Sequence, residues 1–217
     1  MNKLIFSGTA LLLAVGLSAA CKTANPGTAT ATKILQPGAP GQQTKTISTA
    51  QATDLSKVGA TPADVKFMQG MIGHHAQAVE MVALIADRTA NPAMKRLGLR
   101  IQISQDDEMN MMRKWLSDRG QTVPGPHSHH EPGGMMPGML SPEEMQKLAD
   151  AKGVEFDRLF LQGMIKHHGG AISMVEELFK TPGAGQEGGI FAFASDVDAD
   201  QRMEIDRMGA MLKEITK

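Results

Sequence analysis

Two histidine pairs carry the first chemical signal in this 217-residue chain. "GMIGHHAQAVEM", Gly70 to Met81, sets His74 and His75 among methionines and alanines, and "GMIKHHGGAISM", Gly163 to Met174, repeats the pattern around His167 and His168. A constant offset of 93 relates His74 to His167, Phe67 to Phe160, Gln69 to Gln162, Met71 to Met164 and Met81 to Met174, which marks a tandem duplication. Thioether sulfur is a soft, neutral ligand that needs no deprotonation, and imidazole is borderline. Together they favour copper(I) or silver(I) over zinc, calcium or iron. On a helix Met71 stands three residues before His74 and four before His75, so one turn offers sulfur and nitrogen to a common region. Met71, His74, His75, Met81, Met164, His167, His168 and Met174 are therefore the expected metal ligands.

The helices that must hold these residues are legible from their spacing. Phe67, Met71, His74, Ala78, Met81 and Ile85 advance in steps of 4 and 3, the period of a core-facing seam, and Phe160, Met164, His167, Ala171, Met174 and Leu178 do the same. His74 and His167 are expected in the core, with His75 and His168 about 100° round on the shoulder of the same face. Two further seams, Ile101, Gln105, Glu108, Met112, Trp115 and Val197, Gln201, Glu204, Met208, Met211, carry Gln and Glu where a plain bundle takes leucine. A buried carboxylate without a partner is costly, so Glu108 and Glu204 are expected to pair with the seam histidines of the facing helices. Orienting a histidine is their expected role, ahead of direct ligation, with Met112 and Met208 one turn on. Gln105 and Gln201 are expected to be satisfied by the same network, and Trp115 to belong to the core.

Start and stop signals divide the chain. Thr61, Pro62 and Asp64 form a helix-opening signature, Pro92 separates a first helix from a second, and Gly120 caps the second. "SPEE" from Ser141 opens a short helix, a long one follows from Val154 to about Lys180, and a last one runs from about Gly189 to Ile215. The expected fold is all-α: a four-helix, ferritin-like bundle built from two tandem helix-pair repeats. Residues 61–119 form the first repeat, 120–140 a loop and 141–217 the second repeat, with 61–217 one folded domain. The loop "HSHHEPGGMMPGM" places His127, His129, His130, Met135, Met136 and Met139 together, a composition that takes copper(II), nickel or zinc loosely and could pass copper to the bundle.

Residues 1–20, with Lys3 and an apolar run from Ala10 to Leu17, read as an export signal, the run being too short to span a membrane. Cys21 is the only cysteine, so no internal disulfide forms. Its place after "LSAA" resembles a bacterial lipobox, although Ser18 stands where Leu or Val is usual and the same "SAA" also suits ordinary signal cleavage. Residues 21–60, rich in Thr, Ala, Gly, Pro and Gln, are expected to form a flexible tether. The protein is thus expected in the periplasm or cell envelope, with a membrane contact only through a lipid anchor at Cys21. A net charge of −1 gives no bulk reason to expect nucleic acid as a partner.

A carboxylate-bridged di-iron enzyme is the natural rival for such a bundle, but it needs Glu-x-x-His pairs, and no Glu here is followed by His three residues later. Binding rather than catalysis is the expectation. Its competitor is a non-metal, surface-tethered interaction module in which His/Glu pairs only set helix register.

"FMQGMIGHHAQAVEMV" and "FDRLFLQGMIKHHGGAISMVEEL" resemble the bacterial family catalogued as domain of unknown function three hundred and five, over nearly all of Thr61 to Ile215. The resemblance implies an exported helical bundle and, for the copper-binding members, metal buffering through Met and His at the eight motif positions named above. Partners of that kind of protein would be copper-exporting or copper-chaperone proteins. The first repeat has Ala76-Gln77 where the second has the more typical Gly169-Gly170, so the two sites are not expected to be equivalent.

Overall fold

A computed structural model describes residues 33–36, 44–53, 58–125 and 135–215. The export signal, Cys21, His127, His129 and His130 lie outside the described residues. The chain divides into two units, Met1–Asp54 and Leu55–Lys217. In the first, part of the stretch expected to be irregular forms a small hairpin, β1 (Ile34–Gln36) against β2 (Lys45–Ile47), antiparallel with Ile34 opposite Ile47. A helical turn follows, α1 (Thr49–Thr53), opened by reciprocal hydrogen bonds between Ser48 and Gln51. No described helix is long and apolar enough to cross a membrane.

The second unit is the helical bundle: α2 (Pro62–Ala83), α3 (Ile85–Arg88), α4 (Pro92–Asp118), α5 (Pro142–Asp150), α6 (Gly153–Lys180) and α7 (Gly188–Ile215). The first helix read from the sequence is broken at Leu84 into α2 and α3. The caps lie where the sequence places them. Thr61 N donates to Asp64 Oδ2 at 2.6 Å while Asp64 N donates to Thr61 Oγ1, and Asn91 Oδ1 accepts from Ala93 N to open α4. At the end of α4, Gly120 N donates to the Ser117 carbonyl and Gln121 N to that of Leu116, the paired bonds of a Schellman motif.

α2 packs chiefly on α4 and α6 on α7, and α2 joins the pairs by lying antiparallel to α6, so that Gly70 faces Met174 and Gly163 faces Met81. The arrangement is close to a two-fold. Asp64, buried at the start of α2, accepts from Gly185 N ahead of α7 at 2.7 Å, and its repeat counterpart Asp157, at the start of α6, accepts from Asn91 Nδ2 ahead of α4 at 2.8 Å. Each central helix is therefore anchored to the lead-in of the other repeat's outer helix.

The apolar core is split in two. Phe67, Met71, Met112, Trp115, Val175 and Phe193 belong to one cluster, and Met81, Leu97, Ile101, Phe160, Met164 and Met208 to the other. On each long helix the residues of one cluster precede those of the other, with polar residues between them.

The segment Met135–Leu140 breaks the two-fold. It crosses α2 and α6 as a strap: the Gln77 amide donates to the Leu140 carbonyl at 2.9 Å and accepts from Leu140 N at 2.8 Å. Gly138 (φ 76°) lies against Gly170, whose missing side chain makes the crossing possible, because a Cβ there would overlap the Pro137 carbonyl. This explains why the repeats differ at Gln77 and Gly170: one reads the strap's backbone and the other yields to it. Neighbouring substitutions should therefore have opposite signs. Gly170→Ala should cost about 1–3 kcal/mol. Gly169→Ala, where a Cβ meets nothing within 4 Å, should stabilise by up to ~1 kcal/mol through helix propensity. Urea denaturation of the two variants measures both.

Candidate metal centre

Between the two apolar clusters every long helix contributes two polar residues: His74 and His75 from α2, Gln105 and Glu108 from α4, His167 and His168 from α6, Gln201 and Glu204 from α7. All eight are buried, none more than 9% exposed. A polar belt thus crosses the middle of the bundle. Its position follows from the seams, since each helix places these residues at core-facing steps of 3 and 4 or directly beside them.

The expected pairing of Glu108 and Glu204 with the seam histidines is overturned. His75 Nε2 donates to Glu108 Oε2 at 2.5 Å and His168 Nε2 to Glu204 Oε2 at 2.6 Å, so the shoulder histidines hold the carboxylates within each repeat. The reason is geometric: α4 and α7 flank the shoulders, whereas α2 and α6 face one another through the seam. His74 and His167 stack there, their ring centroids 3.8 Å apart at an interplanar angle of 38°. Their outer nitrogens go to the main chain: His74 Nε2 donates to the Pro137 carbonyl at 2.9 Å and His167 Nε2 to the His74 carbonyl at 2.9 Å. Nothing in the side-chain pattern marks these two carbonyl acceptors, although "MMPGM" does signal a turn. Ser104 Oγ adds a 3.0 Å bond to Glu108 Oε1.

Carbonyl and carboxylate oxygens accept, so each of the four rings carries a proton on Nε2, and at His74 and His167, whose protonation burial disfavours, Nδ1 presents a lone pair. All four Nδ1 atoms are buried without a hydrogen-bond partner. Gln105 Oε1 and Gln201 Oε1 also lack one, contrary to the expectation that the network satisfies them. The belt therefore holds six buried nitrogen and oxygen atoms with no hydrogen-bond partner among the described residues.

The methionines divide. Met71, Met112, Met164 and Met208 are fully buried, as is Met81. Met71 and Met81, ten residues apart, stand about 15 Å from one another along α2 and belong to opposite apolar clusters. The Met and His positions of one repeat consequently do not gather at one point. Met71 and its neighbour Met174 from the other repeat share one end, and Met81, Met164 and Met208 the other. Met174 is half-buried rather than core, Met136 is half-buried, Met135 is 61% exposed, and Met139 is core at 4%. Trp115 is buried, and its Nε1 donates to Glu187 Oε2. Among the described residues, no three His, Cys, Asp or Glu side chains are grouped as a metal site. A hard cation seeking three or more such ligands has no ready cage here, whereas a soft cation is served by imidazole nitrogen and thioether sulfur.

Burial pushes His74 down from the usual 6.5 to about 3, with the neighbouring His75 adding to the effect. Burial also lowers His167 well below 6.5, with His74, His168 and His75 contributing. Burial works to raise the Glu108 carboxyl, but the hydrogen bond and charge of His75, then the Ser104 bond, outweigh it and leave the group below its usual value. Outside the belt, Asp200 is held above the normal carboxylate range by burial and by Glu108, Asp196 and Glu204.

The profile of the family described as "Domain of unknown function (DUF305)" matches residues 64–212. A DUF305 fragment from Deinococcus radiodurans is 33% identical, with a TM-score of 0.63, over 71% of this chain and 98% of that one. CopM in its Cu(II)-bound form is 26% identical, with a TM-score of 0.58, over 70% of this chain and 96% of that one. CopM in Cu(I)-bound and silver-bound forms, at 24% identity and a TM-score of 0.55, shares the fold. An uncharacterized protein of Acanthamoeba polyphaga mimivirus is 41% identical over 56 residues, and the chain spans 37% of that relative's length.

The two depressed imidazoles set a pH dependence for the metal-free protein. Between 6.5 and about 3 the unfolded chain binds protons that His74 refuses in the fold, and His167 acts in the same direction. Stability is then full above pH 6.5 and falls on acidification, at up to ~1.4 kcal/mol per pH unit for each ring. Urea midpoints at pH 7 and 5 should show the loss, and His167→Phe, which removes one ring, should shrink it. Equal stability at both pH values would mean that the rings are protonated in the fold.

Proposed function

The chain belongs to the DUF305 family, and on that premise we propose that it is an exported protein that binds copper(I), and silver(I) by the same chemistry, to buffer or traffic the ion. The observation that carries this reading is the set of four buried Nδ1 atoms that meet no hydrogen-bond partner among the described residues. Leaving so many buried polar atoms unmet is costly, and a soft cation is a ligand that imidazole nitrogens take once they are free of a proton. Glu108 and Glu204 act as orienting groups: each accepts the Nε2–H hydrogen bond of its histidine, fixes the ring and raises its basicity. Met71, Met112, Met164 and Met208 flank the belt with soft sulfur and add selectivity for a monovalent ion. CopM, which shares this fold, has been captured with copper and with silver, and this supports the same cargo here.

Thioether ligands exchange readily, which suits handing the ion on to a copper-exporting or copper-chaperone partner rather than catalysing with it. The leader at residues 1–20, with lipidation at Cys21, would hold the protein in the cell envelope. Copper(II) is a weaker fit to the sulfur-rich core and a better one to the histidines of residues 127–130.

The competing reading, in which the His/Glu pairs serve only helix register, predicts a different result in one experiment. His75→Gln with His168→Gln keeps an N–H donor near the Nε2 position for each glutamate and removes the Nδ1 base. In an anaerobic copper(I) titration against a chromophoric chelator, the folded double variant should bind at least ~100-fold more weakly than the parent protein. Unchanged affinity in a folded variant would leave the histidines as structural residues.

A further inference from the structure

The strap and the bundle meet at a place where the two repeats are not alike. Gly70 on α2 and Gly163 on α6 are repeat counterparts, and each leaves a gap that a methionine from the opposite central helix crosses. Over Gly163 the gap is closed by Leu140 and Met81, whose methyl carbons come within 3.1 and 3.2 Å of where a Cβ would lie, and both residues are buried. Over Gly70 it is closed by Met136 and Met174: the Met136 sulfur and the terminal methyl of Met174 each lie 3.5 Å from the corresponding point. Both of these residues are half-buried. One repeat therefore has a sealed gap with a single sulfur, and the other has two thioethers within reach of solvent.

The second gap also adjoins the belt. Gly70 is one helical turn before His74, Met174 lies two turns after His167 on the same seam, and Pro137, next to Met136, supplies the carbonyl that holds His74 Nε2. If apolar filling were all that this position required, leucine would serve, as Leu140 does at the counterpart.

We propose that Met136 and Met174 form a thioether pair for a soft monovalent cation, copper(I) or silver(I), at the solvent-reaching edge of the histidine belt. The inference rests on the metal-binding reading above and adds to it a side of uptake. Two neutral sulfurs hold a soft cation loosely and leave hard divalent cations in water. A cation held there would be passed toward His74 with no change in charge at either ligand. The strap then has two tasks, since the same six residues hold the His74 Nε2 proton and supply one of the sulfurs.

The test is a silver(I) titration of the full chain carrying 13C-labelled methionine methyl groups, followed by NMR together with the imidazole signals. Met136→Leu and Met174→Leu assign the two resonances and copy the leucine already present at the counterpart gap. The Met136 and Met174 methyl signals should shift together and saturate on one curve. Met136→Leu should abolish the shift at Met174, whereas Met203→Leu, at an exposed position on α7, should leave it unaltered. The proposal is overturned if the imidazoles respond while both methyl signals stay still, or if Met174 follows the same curve in Met136→Leu as in the parent. Silence of imidazole and methyl signals alike would overturn the metal reading and this pair with it.

Discussion

A layer of charge-bearing side chains across the middle of a helical bundle has to be satisfied largely within itself, because it is buried and the clusters on either side are apolar. The two His–Glu hydrogen bonds, His75 to Glu108 and His168 to Glu204, meet part of that demand here. Breaking one buried pair by removing a single partner typically costs about 3–5 kcal/mol, a large share of a domain's whole stability. The pairs therefore set register. Sliding α4 by one residue against α2 would turn Glu108 about 100° away from His75, and α7 is tied to α6 by the same constraint.

The belt also determines how the core can be built. With polar residues at the centre of all four long helices, the apolar residues must gather at the two ends, and the antiparallel pairing of α2 with α6 mixes the repeats at each end. Methionine suits this arrangement, since an unbranched thioether fills the uneven space beside imidazole rings and carries a donor atom at the same time. The duplicated sequence therefore does not yield two copies of one site. It yields a single belt in which both repeats take part, with methionines drawn from different repeats on each side of it.

Symmetry ends at the strap. A duplicated bundle would present both central helices in the same way, but one connection has to join the repeats, and it crosses at Gly170 and Gln77. That crossing gives His74 a main-chain acceptor at Pro137, while His167 uses the carbonyl of His74 itself. Two equivalent histidines thus sit in inequivalent hydrogen-bond environments, and the difference traces to one chain connection rather than to any difference in the motif.

The sequence by itself determined the helices, their caps, the duplicated seams and the identity of the eight belt residues, because steps of 3 and 4, proline and glycine positions and capping side chains are local features that the backbone reads directly. Thr61, Asp64 and Gly120 act as their local chemistry dictates, and Glu108 is buried and paired as its seam position requires. Only the tertiary structure decided which histidine each glutamate holds, because that depends on where α4 and α7 lie around α2 and α6 rather than on spacing along one helix. It also decided that Met71 and Met81 stand at opposite ends of the belt, that Met136 and Met174 converge over a glycine, and that the four ring Nε2–H groups turn to main-chain and carboxylate acceptors, leaving each Nδ1 without a partner among the described residues. These are contacts between segments far apart in the chain, and no local pattern encodes the angle at which two helices cross or the path of the strap that closes over them.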